Sequence, residues 1–427
     1  MSFFIGPMRQ HLDGHKDLTA HNEIKTYVAD TVSIPLVQGA APISCLVKEG
    51  DKVKIGDKIA MNDRFGVPIF ASVSGTVTGI VKKMAANLKP ADHVVIENDH
   101  KDTKAEPKYL AEDASKEEII NYMKEMGLLG QGGAGFPSFI KFNTDKCESL
   151  IINAVECEPY ITADARNMEE NMEYLRTGVV LGMKASGAKK GYLCIKEYKK
   201  EVISKCIELL KDVKDVEVKP VPDVYPMGWE RTLVYEVTKK RYEKLPIEVN
   251  CVVSNVTSLI EIAKSSKLGT PIYEKFVTVS GNAVKEPHNV KCRVGTSFKE
   301  LIDVCGGYVE GVDKISLIAG GPMMGSSIVK DEVCTSSISN CVLVNKYEEF
   351  EAIKCLRCGA CVDHCPSGLQ PVNIANAAKA NDFDRLAKLK AVDCVECGMC
   401  TYVCPSKIEV TENVRRAKRT MMDRAKK

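Results

Sequence analysis

The sequence predicts a multidomain α/β protein: an all-β N-terminal domain, a central α/β domain, a small α+β module and a mostly helical, cysteine-rich end. Three observations predict it. Residues 31–98 alternate short β-like runs with glycine turns. From 147 to about 266, strand-like and helix-like stretches alternate, the pattern of a mostly parallel sheet. Residues 355–405 carry one cysteine phrase twice, C-x-x-C-x-x-C-x-x-x-C-P. The expected domains are 1–100, 115–266, 272–330 and 345–427.

In the first domain, Val47-Lys-Glu-Gly-Asp-Lys-Val53, Gly56-Asp-Lys-Ile59 and Ile69-Phe-Ala-Ser-Val-Ser-Gly75-Thr-Val77 resemble the lipoyl/biotinyl barrel-sandwich module. Such modules present a modified lysine at a hairpin tip. Here the tip region, Met61 to Gly66, has none, so a structural or docking domain is expected rather than a carrier. The charged stretch 101–114, with Pro107, reads as a linker. Ser115-Lys-Glu-Glu118 has the form of a capping box opening a helix through Met126. Ser149 to Val155, Gly191 to Ile195, Val216 to Val221 and Ile247 to Val253 read as strands. Lys199 to Val213 reads as a helix with Val202, Cys206, Leu209, Leu210 and Val213 on one face, which makes Cys206 core. In the third domain, Phe276 to Asn282 is a strand and turn, Ser297 to Val304 a short helix and Ile315 to Ala319 a strand. In the last, Asp382 to Lys390 is a helix between the cysteine runs, and Val414 to Lys427 a basic helix. The basic helix reads as a solvated face, with docking to an acidic partner as the alternative.

Composition excludes some classes. A net charge of +2 argues against nucleic-acid binding driven by bulk charge. The longest apolar candidate, Ile315 to Val329, contains Gly320, Gly321, Pro322 and Gly325 and falls short of the roughly 20 residues of a span. No transmembrane segment is expected. The opening MSFFIGPMRQHL lacks a charged n-region and a long apolar h-region, so no export is expected. Together with mostly reduced core thiols, this points to a cytoplasmic setting, with membrane attachment through a partner.

The two cysteine runs are Cys355, Cys358, Cys361 and Cys365, then Cys394, Cys397, Cys400 and Cys404. Their spacing is that of bacterial ferredoxins with two 4Fe–4S clusters, in which the last cysteine of each run ligates the other cluster. Cys355, Cys358, Cys361 and Cys404 are therefore assigned to one cluster, and Cys394, Cys397, Cys400 and Cys365 to the second. Structural zinc explains neither the third cysteine nor the proline of each run. Disulfides would require an oxidising compartment.

Gly130-Gln-Gly132-Gly133-Ala-Gly135-Phe136-Pro137 contains G-x-G-x-x-G. It follows a helical segment instead of a strand, so it is no Rossmann fingerprint, and alone it could be a tight turn. Such a loop does let backbone N–H groups approach a phosphate. This loop, followed by Asn153-Ala-Val-Glu156-Cys157-Glu158-Pro159, resembles the NADH- and FMN-binding subunit of respiratory complex I. The full combination resembles the RnfC family of Rnf ferredoxin:NAD oxidoreductases. It comprises His15-Lys16-Asp-Leu-Thr19, the barrel-sandwich segment, the Glu-Cys-Glu-Pro-Tyr stretch, Tyr225-Pro-Met-Gly228, Gly320-Gly-Pro-Met-Met324 and the twin cysteine runs.

The resemblance implies an FMN/NADH-binding α/β domain, a β-grasp (SLBB-like) module and a two-cluster ferredoxin domain. It implies that Gly130, Gly132, Gly133 and Gly135 shape the flavin and phosphate loop. Phe136 would stack on a nicotinamide or adenine, and Lys141 would meet a phosphate. Asn153, Glu156 and Glu158 would line flavin and nicotinamide, with Glu197 on the nucleotide strand and Asn255 near the FMN. No side chain is implied as nucleophile or general base. The implied cofactors are FMN, NADH and two 4Fe–4S clusters. The implied partners are the other subunits of a membrane-bound electron-transfer complex, and ferredoxin, at the cytoplasmic face of the membrane. Two other readings fit the same residues: a soluble relative feeding electrons to a cytoplasmic proline reductase or corrinoid protein, and a flavin-free relay. Gly228-Trp229-Glu230-Arg231 departs from the family's usual Gly-Gly-Glu-Lys. The family opening, rich in Gly, His and Pro, is kept only in part in Gly6-Pro7-Met8-Arg9.

Overall fold

Two small antiparallel sheets face each other at the N-terminal end of a computed structural model that describes residues 10–425. Residues 1–9, which carry Gly6 to Arg9 and most of the stretch read for export, lie outside the described residues, as do 426 and 427. One sheet is Thr31–Pro35, Pro90–Asn98, Gly75–Met84 and Lys52–Val53; the other is Ile43–Cys45, Lys58–Asn62 and Val67–Phe70. Val32, Ile34, Val53, Ile59, Val77, Val94 and Ile96 fill the space between them, each contributing about 1.5–3 kcal/mol by leaving water. The tip between Asn62 and Val67 is Asp63-Arg64-Phe65-Gly66, with no lysine.

The central sheet is parallel, in the order Val216–Val221, Lys190–Lys196, Ser149–Asn153, Cys251–Asn255. Leu150, Ile151 and Ile152 are fully buried in succession, as a strand covered on both faces requires. Counted along the chain, the order is third, second, first, fourth. It reverses between Ser149–Asn153 and Cys251–Asn255, and such a switch point opens a crevice at the carboxyl ends of the strands. Asn153 and Asn255 are paired in register at that end. The capping box forms as expected: the Glu118 amide donates to Ser115 Oγ at 3.3 Å and the Ser115 amide to Glu118 Oε2 at 2.6 Å. Helix Lys200–Leu210 buries Cys206 in the core. One expected strand differs. Pro246–Val249 is a 3-10 turn, Asn250 sits at φ +59°, and the strand begins only at Cys251. Proline pre-sets the first turn position, and asparagine tolerates the left-handed region that ends it.

The third module is a six-stranded sheet, in the order Lys25–Tyr27, His288–Arg293, Glu274–Ser280, Cys341–Lys346, Ile315–Ala319, Ser326–Ile328. Two of its strands come from outside residues 272–330. Lys25–Tyr27 adds in parallel to His288–Arg293, and Cys341–Lys346 inserts between Glu274–Ser280 and Ile315–Ala319. The C-terminal helices Ala360–Asp363, Pro371–Lys379, Phe383–Lys388, Met399–Tyr402 and Val410–Arg424 pack around Ile374, Leu386, Val410, Val414 and Ala417. Among the described residues no helix is long and apolar enough to cross a membrane.

Candidate functional site

The glycine loop lies beside the switch-point crevice. Its neck is closed by the Gly130 amide donating to the Phe136 carbonyl at 2.8 Å. Gly132 is held at φ +73°, and a Cβ there would stand 2.6 Å from Asn255 Nδ2. The backbone thus approaches Asn255 in a way only glycine permits. Asn255 caps helix Val256–Leu268 by accepting from the Thr257 amide at 2.7 Å, and its Nδ2 donates to Asp164 Oδ2 at 2.6 Å. Lys141 Nζ donates to the Val253 carbonyl at 2.9 Å and stands 3.9 Å from Glu230. Asn153 Nδ2 donates to the Gly228 carbonyl at 2.8 Å. Trp229, at the N-cap of Glu230–Thr238, has the Arg231 guanidinium 5.9 Å from its ring centre.

Both glutamates after Asn153 are held in place. Glu156 sits at φ +44° with its side chain buried. Its Oε1 accepts from the Asp164 amide at 2.7 Å, while Oε2 has no hydrogen-bond partner and faces Lys16 Nζ at 3.8 Å. Burial pushes its carboxyl above the usual range, and Lys16 pulls it back. Glu158 Oε1 accepts from the amides of Met323 and Met324 at 2.7 and 2.9 Å. Burial raises its pKa, against those two amides. Tyr225 OH lies 3.5 Å from Glu158 Oε2 and donates to the Cys397 carbonyl at 2.7 Å. Gly132, Gly133 and Glu158 share a cavity of about 540 Å³ with Gly320, Gly321 and Met324. Glu197 is exposed just beyond Lys190–Lys196, and Phe136 is 46% exposed beside the loop. The lining of the large cavity includes neither Phe136, Lys141, Asn153, Glu156, Glu197 nor Asn255.

The twin cysteine runs fold as twins. Arg357 and Glu396 both sit at φ +57°, and Gly359 and Gly398 at +82° and +78°, each before a four-residue helix. Cys365 lines one small cavity with Cys394, Cys397 and Cys400, the grouping assigned to the second cluster. Cys361 feels the charges of Cys355 and Cys358. The helix that precedes Cys404, Met399–Tyr402, packs on Ala360–Asp363, which carries Cys361. Among the described residues no three His, Cys, Asp or Glu side chains converge closely enough to hold one metal ion. Thiols around a cluster several atoms across stand further apart than the roughly 2.3 Å Zn–S bonds of a zinc site allow. The runs differ in exposure: Cys355 and Cys358 are exposed, whereas Cys397 is buried. A Cβ on Gly398 would lie 2.7 Å from the Met323 carbonyl, so the second run abuts the segment that binds Glu158.

Four family models match: an RnfC barrel sandwich hybrid domain over residues 9–101, a Nuo51 FMN-binding domain over 123–264, an SLBB domain over 276–326 and a 4Fe-4S dicluster domain over 354–408. A relative from Clostridium ljungdahlii, the RnfC-type component of its proton-translocating ferredoxin:NAD(+) oxidoreductase complex, is 35% identical over 84% of this chain and 81% of its own length. The chain belongs to the RnfC family. The corresponding component of the Na(+)-translocating ferredoxin:NAD(+) oxidoreductase complex of Acetobacterium woodii is 34% identical, over 83% of each chain. Among solved structures, an NAD+-reducing [NiFe]-hydrogenase in the H2-reduced state aligns with a TM-score of 0.50 at 18% identity, over 72% of this chain and 61% of the other. That likeness shows the fold, which this RnfC-family chain shares over part of the hydrogenase chain's length.

The matched modules make the cofactors FMN and two 4Fe–4S clusters. The residues fit both. Eight cysteines in two runs supply the thiolates. The ammonium of Lys141, the amides of Asn153 and Asn255, the glycine cradle and the unpartnered Glu156 Oε2 supply polar groups at the crevice. Sequence reasoning gave no role to Lys16, Tyr225 or Asp164. Lys16 and Tyr225 sit in the motifs His15-Lys16-Asp-Leu-Thr19 and Tyr225-Pro-Met-Gly228, but their contacts are long-range and no local pattern announces them.

Proposed function

We propose that this chain is the NAD(H)-interacting electron-transfer subunit of a membrane-bound, Rnf-type ferredoxin:NAD oxidoreductase complex. It sits at the cytoplasmic face, held there by its partner subunits. The supporting observation is the continuity between crevice and second cysteine run. Glu158 accepts from the Met323 amide, the Met323 carbonyl lies against Gly398, and Tyr225 ties the same carboxylate to the Cys397 carbonyl.

Bound FMN supplies the conversion between a two-electron hydride donor and the one-electron clusters. The chain's own groups bind and orient. Gly130, Gly132, Gly133 and Gly135 leave backbone open to ring and phosphates. Lys141, Asn255 and the N-terminal end of Val256–Leu268 favour a phosphate by charge and helix dipole. Asn153, Glu156 and Glu158 line the flavin and orient the nicotinamide. Phe136 offers a ring face, and Glu197 stands on the nucleotide side. Cys394, Cys397, Cys400 and Cys365 hold the cluster next to the crevice; Cys355, Cys358, Cys361 and Cys404 hold the outer one. Exposed Cys355 and Cys358 make the first run the outlet toward a one-electron partner, ferredoxin or a partner subunit. When NADH is added anaerobically to cofactor-loaded protein, the flavin absorbance is expected to bleach. Persistence of oxidised flavin would contradict the proposal.

A further inference from the structure

The twin cysteine loops have the same backbone but different neighbours. At the position between the first two cysteines, the first loop carries Arg357, which is exposed, and the second carries Glu396. Glu396 is clamped by the C-terminal helix Val410–Arg424. Its Oε1 accepts from Lys418 at 2.9 Å, and its Oε2 lies 3.1 Å from Arg415 Nε. Lys418 also donates to the carbonyl of Cys394 at 2.7 Å, and an Arg415 NH group reaches the Glu396 carbonyl at 3.5 Å. The helix can do this because its apolar face, Val410, Val414 and Ala417, is buried in the core of the cysteine module. Arg415 and Lys418 lie on the flank that remains, while Arg416 and Arg419 face solvent. The basic helix is therefore partly committed to the second loop. Counting Arg415, Lys418 and Glu396, the clamp carries one net positive charge. The same charges act on the Cys394 thiol: burial raises it most, Lys418 lowers it and Glu396 raises it.

We propose that Lys418, braced by Arg415 and Glu396, is a tuning residue that raises the reduction potential of the cluster held by the second cysteine run relative to its twin. Reduction adds one electron and no proton to the cluster. A cation fixed beside a ligand's backbone favours the form with the extra negative charge, and charge and hydrogen bonding are among the levers that set such potentials. The second run is the one that abuts the crevice, so the effect falls on the centre placed to take the electron first.

The test is potentiometric titration of the full-length, cluster-loaded protein, followed by EPR. In Lys418→Met, one of the two midpoints is expected to move to a more negative value while the other stays; Lys418→Arg should restore it. Glu396→Gln is expected to move the same midpoint the opposite way, and it keeps the test open if Lys418→Met loads iron poorly. Both midpoints unmoved in Glu396→Gln and in a loaded Lys418→Met, or both moved equally, would overturn the inference. The inference rests on the two-cluster reading. Failure of that reading looks different, because wild-type protein would then lack two titrating iron–sulfur signals.

Discussion

Gly132 and Gly133 are adjacent in one loop, yet the structure gives them opposite roles. A Cβ at Gly132 enters the left-handed region at φ +73° and meets Asn255 Nδ2 at 2.6 Å, whereas a Cβ at Gly133 meets nothing within 4 Å. Gly132→Ala costs about 1 kcal/mol for the backbone conformation. Pushing Asn255 aside threatens the cap of Val256–Leu268, about 1 kcal/mol. It also threatens the 2.6 Å bond to Asp164, roughly 1.5–3 kcal/mol for a charged acceptor. Asn255 can retreat in part, so a loss of about 2–3 kcal/mol is expected for Gly132→Ala and less than about 0.5 for Gly133→Ala. Trp229 is the only tryptophan and lies in the central domain. Denaturant unfolding followed by its fluorescence therefore reads this domain. Gly132→Ala should also lose FMN on desalting, whereas Gly133→Ala should show itself only in ligand affinity, because Gly133 lines the cavity. Equal unfolding midpoints for the two variants would refute the reasoning.

Other outcomes follow from the same geometry. Cys365→Ser should remove the cluster whose midpoint depends on Lys418, leaving about four irons per chain; loss of the other cluster would disprove the crossed ligation. Tyr225→Phe deletes the donor to the Cys397 carbonyl and should cost about 1–3 kcal/mol through a buried unsatisfied acceptor, visible as a lower unfolding midpoint and easier loss of iron. Glu156 and Glu158 both have carboxyls raised above 4.5 by burial. In the folded state they bind more protons than in the unfolded state, so their contribution to stability falls as pH rises above that value. Denaturant midpoints measured across pH should decline less steeply in Glu158→Gln than in wild type. An identical slope would contradict the assignment.

What the sequence made legible is what lies close along the chain. The cysteine runs announce themselves because ligation fixes their spacing. The Ser115 capping box needs only a few residues, and the central strands reveal themselves as apolar runs such as Leu150 to Ile152. Contacts between distant segments were not legible. Lys25–Tyr27 is three residues long and joins a sheet whose partner strand lies some 260 residues away. Lys16 looks like any surface lysine until the fold lays it against Glu156. The C-terminal helix reads as a solvated basic face because charge alone says nothing of Glu396 beneath it. Of the expected site residues, the crevice brings Asn153, Glu156 and Asn255 near the loop, since strand register and the switch point place them there. Phe136 and Glu197 stand exposed outside the cavity, where only a bound nucleotide gives them a partner.

The central claim is that a flavin crevice is joined to two iron–sulfur clusters in one chain. The most direct measurement is an anaerobic NADH titration of protein whose iron, sulfide and FMN have been quantified, followed by absorbance and EPR together. The account predicts about eight irons per chain, bleaching of the flavin and growth of two distinct cluster signals. Zinc in place of iron, or a bleached flavin with neither cluster reduced, would contradict it.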